Sequence, residues 1–329
     1  MVEVLRRHKD VGIIAPHDVQ FQKIDTRLRS KHPEVPQSTF LLNGDYYASV
    51  LGEELKTRRE ALEAKGIIPG IAAIVSTDDP ASLSYVRRKE EFAKQIGIRS
   101  RVFSVDNNTN PREMLELIEE LNNDQTFHGI LMQVPIPPHL REYEAMMRAA
   151  LNPLKDVDCM TPENVGRFYE GNPRFVHATP GGVMEMFRLS GIKTAGQHIV
   201  VVGRSNIVGR PMAALLAGKD ANATVTICHS QTPDIAEYTR QGDIVISAVG
   251  QPDLITADMV KEGVIVIDVA NNRKADPTRK NGWRMVGDVD FNAVAKKARA
   301  ITPVPGGVGP MTVAMVSANT VLAAEAFAA

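Results

Sequence analysis

The sequence predicts an α/β protein built from two open parallel sheets, each in a three-layer domain with helices on both faces. Three observations predict it. Short apolar runs alternate with helix-length amphipathic segments along most of the chain, the pattern of strand–helix–strand units. One such run, Ile199-Val200-Val201-Val202, passes through Gly203 into a second helical pattern, as in the first turn of a doubly wound sheet. At 329 residues the chain is also longer than one domain commonly needs.

The first forty residues mix Arg, Lys, Asp and Glu without clear periodicity, and are either a docked extension or a frayed arm. Residues 45–65 read as an amphipathic helix capped by Asp45 and stopped by Gly66, with Tyr47, Val50, Leu51, Leu55 and Leu62 on one face. Residues 71–75 form a buried strand. Asp79-Pro80 starts a helix that runs to about Ile96, where Gly97 ends it. Alternation continues through a strand at 101–105, a helix at 111–121 and a strand at 128–133. The cluster Pro135-Ile136-Pro137-Pro138 then forbids further pairing, and a helix at 141–149 closes this half. Residues 152–182, rich in Pro, Gly and Asn, read as linker and cleft wall. A second strand–helix series follows, with strands near Ile199, Val225, Ile244 and Val264. A polar excursion from 272 to 284 contains an Asn281-Gly282 turn. A loop at 302–312 precedes a final helix at 313–327. The expected domains are 41–175 plus 313–329, and 176–312, with 1–40 unassigned.

Hydrophobic residues make up 43% and charged residues 23% of the chain, ordinary proportions for a globular protein. A net charge of -1 gives no general attraction to nucleic acid or an anionic membrane, so a small-molecule ligand is expected. The two cysteines, Cys159 and Cys228, lack metal-type spacing, and so few thiols fit a reducing cytoplasm. No apolar run is long enough for a bilayer, and no leader pattern opens the sequence.

The Gly203-Arg204-Ser205-Asn206-Ile207-Val208-Gly209 turn has the elements of a phosphate site. Ser205 and Asn206 are good helix caps, and a strand ending at a helix N-terminus aims unpaired N–H groups and a positive dipole at one point. The middle glycine of the dinucleotide fingerprint is missing, so packing alone would also explain the two that remain. The next strand, 223–228, ends in His229-Ser230-Gln231-Thr232, with no carboxylate to hold a ribose 2′-hydroxyl. With Arg204 facing a hydroxyl and an imidazole, a 2′-phosphate is favoured, hence NADP. His229 either contacts that phosphate or is an ordinary packed histidine.

The helix starting at Pro80 carries an anomaly. Its apolar stripe of Val86, Phe92, Ala93 and Ile96 also takes in Tyr85 and Lys89, while Arg87, Glu90, Glu91 and Lys94 occupy other faces. A lysine removed from water loses its proton more readily and becomes a usable acid/base; otherwise its stem snorkels to solvent. Ser84-Tyr85-x-x-x-Lys89 imitates the Tyr-x-x-x-Lys pair of short-chain dehydrogenases but lies far upstream of the glycine turn, in the other domain. Gln133 stands at the carboxyl end of its strand, where an amide can orient a lysine and a carbonyl together. Asp156 and Asp158 lack the further ligands a metal needs, leaving turn chemistry or binding of a basic heterocycle edge. The stiff run from Thr302 to Thr312, with three prolines and three glycines, suits either a main-chain platform for a flat ligand or a hinge.

These pieces together resemble the bifunctional methylenetetrahydrofolate dehydrogenase/methenyltetrahydrofolate cyclohydrolase family. The matching blocks are Asp79-Pro80-Ala81-Ser82 with Tyr85-Val86 and Lys89, the run from Gly129 to Pro135, Lys155-Asp156-Val157-Asp158, and the Gly203 turn. Cys228-His229-Ser230, the run from Gly287 to Phe291, and the loop from Ile301 to Thr312 complete them. The resemblance implies that Lys89 is the acid/base of the cyclohydrolase step, with Tyr85 and Gln133 positioning it and Asp158 binding the pterin. It implies that Gly203, Arg204, Ser205, Ser230 and Asn271 hold NADP, and that Pro303, Gly306, Gly307, Pro310 and Thr312 line the folate site. It also implies a homodimer and catalysis without a metal. Departures from the family pattern fall at Ser76-Thr77, Cys159, Met160, His177-Ala178 and Ala270-Asn271-Asn272.

Overall fold

A computed structural model describes residues 26–279 and 282–328. The first 25 residues of the expected extension, Asn281 of the expected turn, and Ala329 lie outside the described residues. The chain divides into two compact units, residues 26–48 with Thr179–Thr312, and Ser49–Ala178 with residues 313–328.

In chain order, strand β1 (Phe40–Leu41) and helix α1 (Gly44–Glu63) precede β2 (Gly70–Ser76), α2 (Pro80–Gln95), β3 (Arg99–Val105), α3 (Pro111–Asn123) and β4 (Gly129–Met132). A 3₁₀ turn (Pro138–Tyr143) leads into α4 (Glu144–Ala150), followed by α5 (Pro162–Tyr169) and α6 (Ala178–Ser190). Then come β5 (His198–Val202), α7 (Gly209–Ala217), β6 (Thr224–Cys228), α8 (Ile235–Thr239), β7 (Ile244–Ser247) and β8 (Ile265–Asp268). The chain ends with β9 (Asn272–Ala275), β10 (Trp283–Val286), α9 (Phe291–Val294), β11 (Ala300–Ile301) and α10 (Val308–Phe327).

The unit containing Ser49–Ala178 is organised on a parallel three-stranded sheet in the order β3-β2-β4. All seven residues of β2 are buried, because helices cover a parallel sheet and leave its central strand no wet side. α3 shows how the sequence fixes an element locally. The Asn110 side chain accepts from the N–H groups of Arg112 and Glu113, the Glu113 carboxylate accepts from the Asn110 N–H, and Pro111 occupies the first turn where no donor is needed. Met114, Ile118 and Leu121 then fall on one face and pack with Ala72, Ile74, Ile130 and Met132. Truncating Ile118 to alanine would cost about 2–5 kcal/mol, the usual range for a buried large-to-small change.

The other unit carries a parallel six-stranded sheet in the order β1-β11-β8-β7-β5-β6. Ile199, Val200, Val201 and Val202 of β5 are fully buried. β5 is flanked by β6 on one side and β7 on the other. The connections therefore leave in opposite directions from β5, and the carboxyl ends of β5 and β7 frame the crevice where such sheets bind ligands.

For residues 26–41 one of the two open alternatives holds, and three differences from the sequence expectation have physical reasons. Residues 26–41 are docked: Leu28 and Val35 enter the core, the Thr39 hydroxyl donates to the Ala295 carbonyl, and β1 pairs with β11. The span 152–182 is not a plain linker, since it contains α5 and the start of α6. Its polar residues act as caps and buried hydrogen-bonding groups, which blurs the apolar period: Thr161 caps α5 and Asn164 is buried. The polar excursion is an antiparallel hairpin of β9 and β10, with Arg273 stacked 4.6 Å from the Trp283 ring centroid. The final helix starts at Val308 rather than 313, because Gly309 and Pro310 occupy its first turn, where proline is tolerated.

Candidate active site

The acid/base candidates assemble inside the unit that holds Ser49–Ala178. Lys89 on α2 is 8% exposed, and its Nζ donates to Gln133 Oε1 at 2.9 Å. Gln133 sits one residue past β4; its N–H donates to the Ile74 carbonyl, and its Nε2 donates to the Val134 carbonyl at 2.9 Å. That second bond commits the amide's donor end elsewhere and turns its acceptor toward the amine. The Lys89 ammonium lies 5.3 Å from the Tyr85 ring centroid, one helical turn away. Burial lowers the pKa of Lys89 from the ordinary lysine value, opposed by the nearby Asp158 carboxylate. Burial raises that of Asp158, with Lys89 pulling it down and Asp156 pushing it up. An amine held down and a carboxyl held up, each feeling the other's charge, form the pattern of an acid/base site.

The loop carrying Asp158 is fixed from beneath. Asp156, 1% exposed, accepts from the N–H groups of Met160 and Thr161, the Thr161 hydroxyl at 2.7 Å and Asn164 Nδ2 at 2.9 Å. Of the two aspartates, Asp156 therefore performs the turn chemistry. Cys159 is buried at φ 59°, a left-handed conformation that costs a side-chain-bearing residue about 1 kcal/mol or more, and burial raises its thiol pKa. Asn319 of α10 is fully buried and donates through Nδ2 to the carbonyls of Val157 at 2.7 Å and Val176 at 2.8 Å. Sequence reasoning missed Asn319, Thr161 and Asn164. The one available signal for Asn319 was a polar cluster, Ser317-Ala318-Asn319-Thr320, inside an otherwise apolar helix.

The glycine turn of the other unit is built as a cradle. Gly203 adopts φ +120°, and a Cβ there would stand 2.4 Å from the Ala248 carbonyl oxygen; one on Gly209 would stand 2.2 Å from the Gly203 carbonyl oxygen. Ser205 caps from a distance: α7 begins only at Gly209, and Ser205 Oγ accepts from the N–H groups of Val208 at 3.2 Å and Gly209 at 3.4 Å. Neither Ser205 nor Asn206 is the formal cap that the sequence suggested, because the tight turn between Gly203 and Gly209 delays the first helical residue. Arg204, Ser205 and Ser230 are exposed, and the turn joins the end of β6 through the Gly203 N–H donated to the Cys228 carbonyl. His229 is partly buried, and its Nδ1 accepts from the Gln231 N–H at 3.2 Å, a local turn bond. Asn271 is exposed just beyond β8.

The loop before α10 is tightly packed at its base. Pro303 and Gly307 are buried, while Gly306 and Pro310 are partly exposed. A Cβ on Gly307 would meet the Pro303 carbonyl oxygen at 2.5 Å, and one on Gly44 would meet the Gly307 carbonyl oxygen at 1.6 Å. The Thr312 hydroxyl, 7% exposed, donates to Thr179 Oγ1 at 3.1 Å. Pro303, Gly307 and Thr312 thus hold the loop's shape, and Gly306 and Pro310 keep surface for a ligand. Among the described residues no group of three His, Cys, Asp or Glu side chains is placed to hold a metal, and no helix is long and apolar enough to cross a membrane.

Comparison with known proteins accounts for both halves. The catalytic-domain model of tetrahydrofolate dehydrogenase/cyclohydrolase matches residues 42–158, and its NAD(P)-binding-domain model matches residues 177–328. The chain belongs to this family. It is 50% identical over 285 residues to the bifunctional protein FolD of Chlorobium phaeobacteroides (strain BS1), a match covering 85% of this chain and 95% of that one. It is 47% identical to bifunctional protein FolD 1 of Myxococcus xanthus (strain DK1622), with 86% and 97% covered. Among solved structures, the bifunctional FolD enzyme of Campylobacter jejuni superposes with a TM-score of 0.82 at 43% identity, covering 88% of this chain and 99% of that chain. The Trypanosoma brucei FolD enzyme, complexed with NADP cofactor and inhibitor, gives 0.83 at 39% identity, covering 88% and 98%. The NAD-dependent 5,10-methylenetetrahydrofolate dehydrogenase of Saccharomyces cerevisiae, at 18% identity and a TM-score of 0.70, shares the fold.

Proposed function

We propose that this family member oxidises 5,10-methylenetetrahydrofolate to the 5,10-methenyl form with NADP and hydrolyses that product to 10-formyltetrahydrofolate. The observation that carries the reading is the buried Lys89 amine, hydrogen-bonded to Gln133 and within the electrostatic reach of the Asp158 carboxyl.

The residues present fit the cofactor. Gly203 makes a backbone cradle that a Cβ would fill, and the end of β6 offers Ser230 with no carboxylate, leaving Arg204 free to meet a 2′-phosphate. Gly203, Arg204 and Ser205 would hold the phosphates, with Ser230 and Asn271 beside them. NADP, when bound, accepts the hydride that leaves the methylene carbon; for that step the protein chiefly aligns the reactants and excludes water.

Hydrolysis needs proton movement, and Lys89 supplies it. Water adds to the electron-poor methenyl carbon while the neutral amine takes its proton. The resulting ammonium returns a proton to the ring nitrogen as the carbon–nitrogen bond breaks, while the adduct's hydroxyl releases its own proton to solvent and becomes the carbonyl, leaving the formyl group on the other nitrogen. Gln133 holds the amine in place, Tyr85 faces it across one helical turn, and Asp158 accepts a hydrogen bond from the pterin's amino edge. Gly306 and Pro310 offer a low wall for the folate, with Pro303, Gly307 and Thr312 shaping it. The two units follow these roles, 49–178 with 313–328 for folate and 26–48 with 179–312 for NADP, so residues 41–48 lie in the NADP unit rather than the folate domain expected from sequence. Two cysteines, both unpaired, suit a cytoplasmic enzyme, and the assembly is a homodimer.

The test is to incubate the protein with methylenetetrahydrofolate and NADP and follow NADPH, then add methenyltetrahydrofolate alone and follow its disappearance. Both activities above the blank are expected. Neither one appearing would overturn the reading.

A further inference from the structure

The carboxyl end of β7 continues into Ala248-Val249-Gly250-Gln251, which runs against the glycine turn at the β5/β7 switch point. Val249 is 44% exposed there, and Gly250 is held at φ +83°. Such a loop, without regular structure of its own, needs something to fix it. Beneath it lies Asp288, 0% exposed. Its Oδ2 accepts from the Ser247 hydroxyl at 3.0 Å and from the N–H groups of Val249 at 2.8 Å and Gly250 at 3.2 Å. Its Oδ1 accepts from the N–H groups of Gly250 at 3.0 Å and Gln251 at 2.7 Å, and from Asn272 Nδ2 at 2.9 Å. One carboxylate therefore ties three successive backbone amides to the residue that follows Asn271. Asp288 is itself fixed: its N–H and that of Val289 donate to Asp268, at 3.0 and 2.9 Å, and a Cβ on Gly287 would stand 1.8 Å from Asp268 Oδ2.

We propose that Asp288 is the positioning residue for cofactor binding, setting the 249–251 loop and Asn272 as one rigid wall of the NADP crevice. The inference rests on the NADP reading above. Successive N–H groups that converge on a buried carboxylate fix a loop's path as a bound anion does, which leaves the loop's outer face preformed for its ligand. The role requires an acceptor on both oxygens. Asparagine in place of Asp288 would set an NH₂ group against at least two N–H or O–H donors in either amide orientation, so the wall would loosen with side-chain volume unchanged.

The experiment measures KM for NADP, kcat at saturating NADP, and hydrolysis of supplied methenyltetrahydrofolate in Asp288→Asn, Ser247→Ala and Asn272→Ala. Asp288→Asn is expected to raise KM for NADP about tenfold or more. Its kcat at saturation should stay within about threefold, and its methenyl hydrolysis within about twofold of wild type. Ser247→Ala and Asn272→Ala, which each remove one hydrogen bond, should raise KM about threefold and carry the test should Asp288→Asn fail to fold. Unchanged KM across the folded variants, with an active wild type, would overturn the inference alone. So would a parallel loss of both activities, which marks a merely structural role. A wild-type chain that reduces no NADP would instead overturn the reading beneath it.

Discussion

Replacing Lys89 with methionine keeps the aliphatic stem and removes only the amine, so it isolates the proton-transfer role. The Nζ–Gln133 bond disappears, a loss of about 0.5–1.5 kcal/mol for a typical hydrogen bond. Against that, the variant no longer buries a group whose charged form burial already disfavours. Net stability should therefore change by no more than about 1 kcal/mol, visible as a small shift in Tm. Catalysis should change far more. A positioned acid/base contributes about 10²–10⁴-fold, or about 3–5 kcal/mol of transition-state stabilisation. Hydride transfer asks no proton of Lys89. The expected outcome is loss of methenyl hydrolysis by at least about a hundredfold, with NADPH formation still measurable. The assay follows NADPH absorbance and methenyl decay separately on one preparation of folded protein. Hydrolysis within tenfold of wild type would refute the role given to Lys89.

Two further outcomes follow from the same geometry. Arg204→Ala should raise KM for NADP about ten- to a hundredfold and leave NAD kinetics little changed, since a charge-assisted bond to a 2′-phosphate contributes about 1.5–3 kcal/mol; equal losses for both dinucleotides would exclude that contact. His177 is buried with its Nε2 unpartnered, and burial, aided by Arg148, lowers its pKa to about 4. The unfolded histidine binds its proton near pH 6.5, so stability is fully present above that value and falls as the pH drops from about 6.5 to about 4. The loss is at most about 3 kcal/mol. His177→Gln should flatten this window in urea unfolding measured across pH, and an unchanged slope would assign the acid sensitivity elsewhere.

What the sequence made legible was what depends on local periodicity. The apolar run into Gly203 announces a buried strand and a tight turn. Lys89 announces itself because every other charge on α2 lies off the apolar stripe. Gln133 is legible from its place at a strand end. Asp288 and Asn319 were invisible as positioning groups because their partners lie far away in sequence: Asp288 bonds to Ser247, 41 residues off, and Asn319 to Val157 and Val176, 162 and 143 residues off. The β9–β10 hairpin was hidden for a different reason. Its strands are polar, and the period-2 signal that marks a half-buried strand is weak there. Residues 26–41 dock through two apolar anchors and a two-residue strand, too sparse a pattern to read in advance. Cys159 shows the converse: the sequence marks it only as a departure from the family pattern, and its left-handed backbone is visible only in the fold.

The central claim is that burial beside Gln133 makes the Lys89 amine give up its proton more readily than an ordinary lysine, so that it can serve as a base. It is tested most directly by following the Nζ resonance of Lys89 in ¹⁵N-lysine-labelled protein across pH, assigned by its absence in Lys89→Met. Titration well below the ordinary lysine value of 10.5 is the result the geometry predicts. An amine that titrates at or above that value would contradict the account.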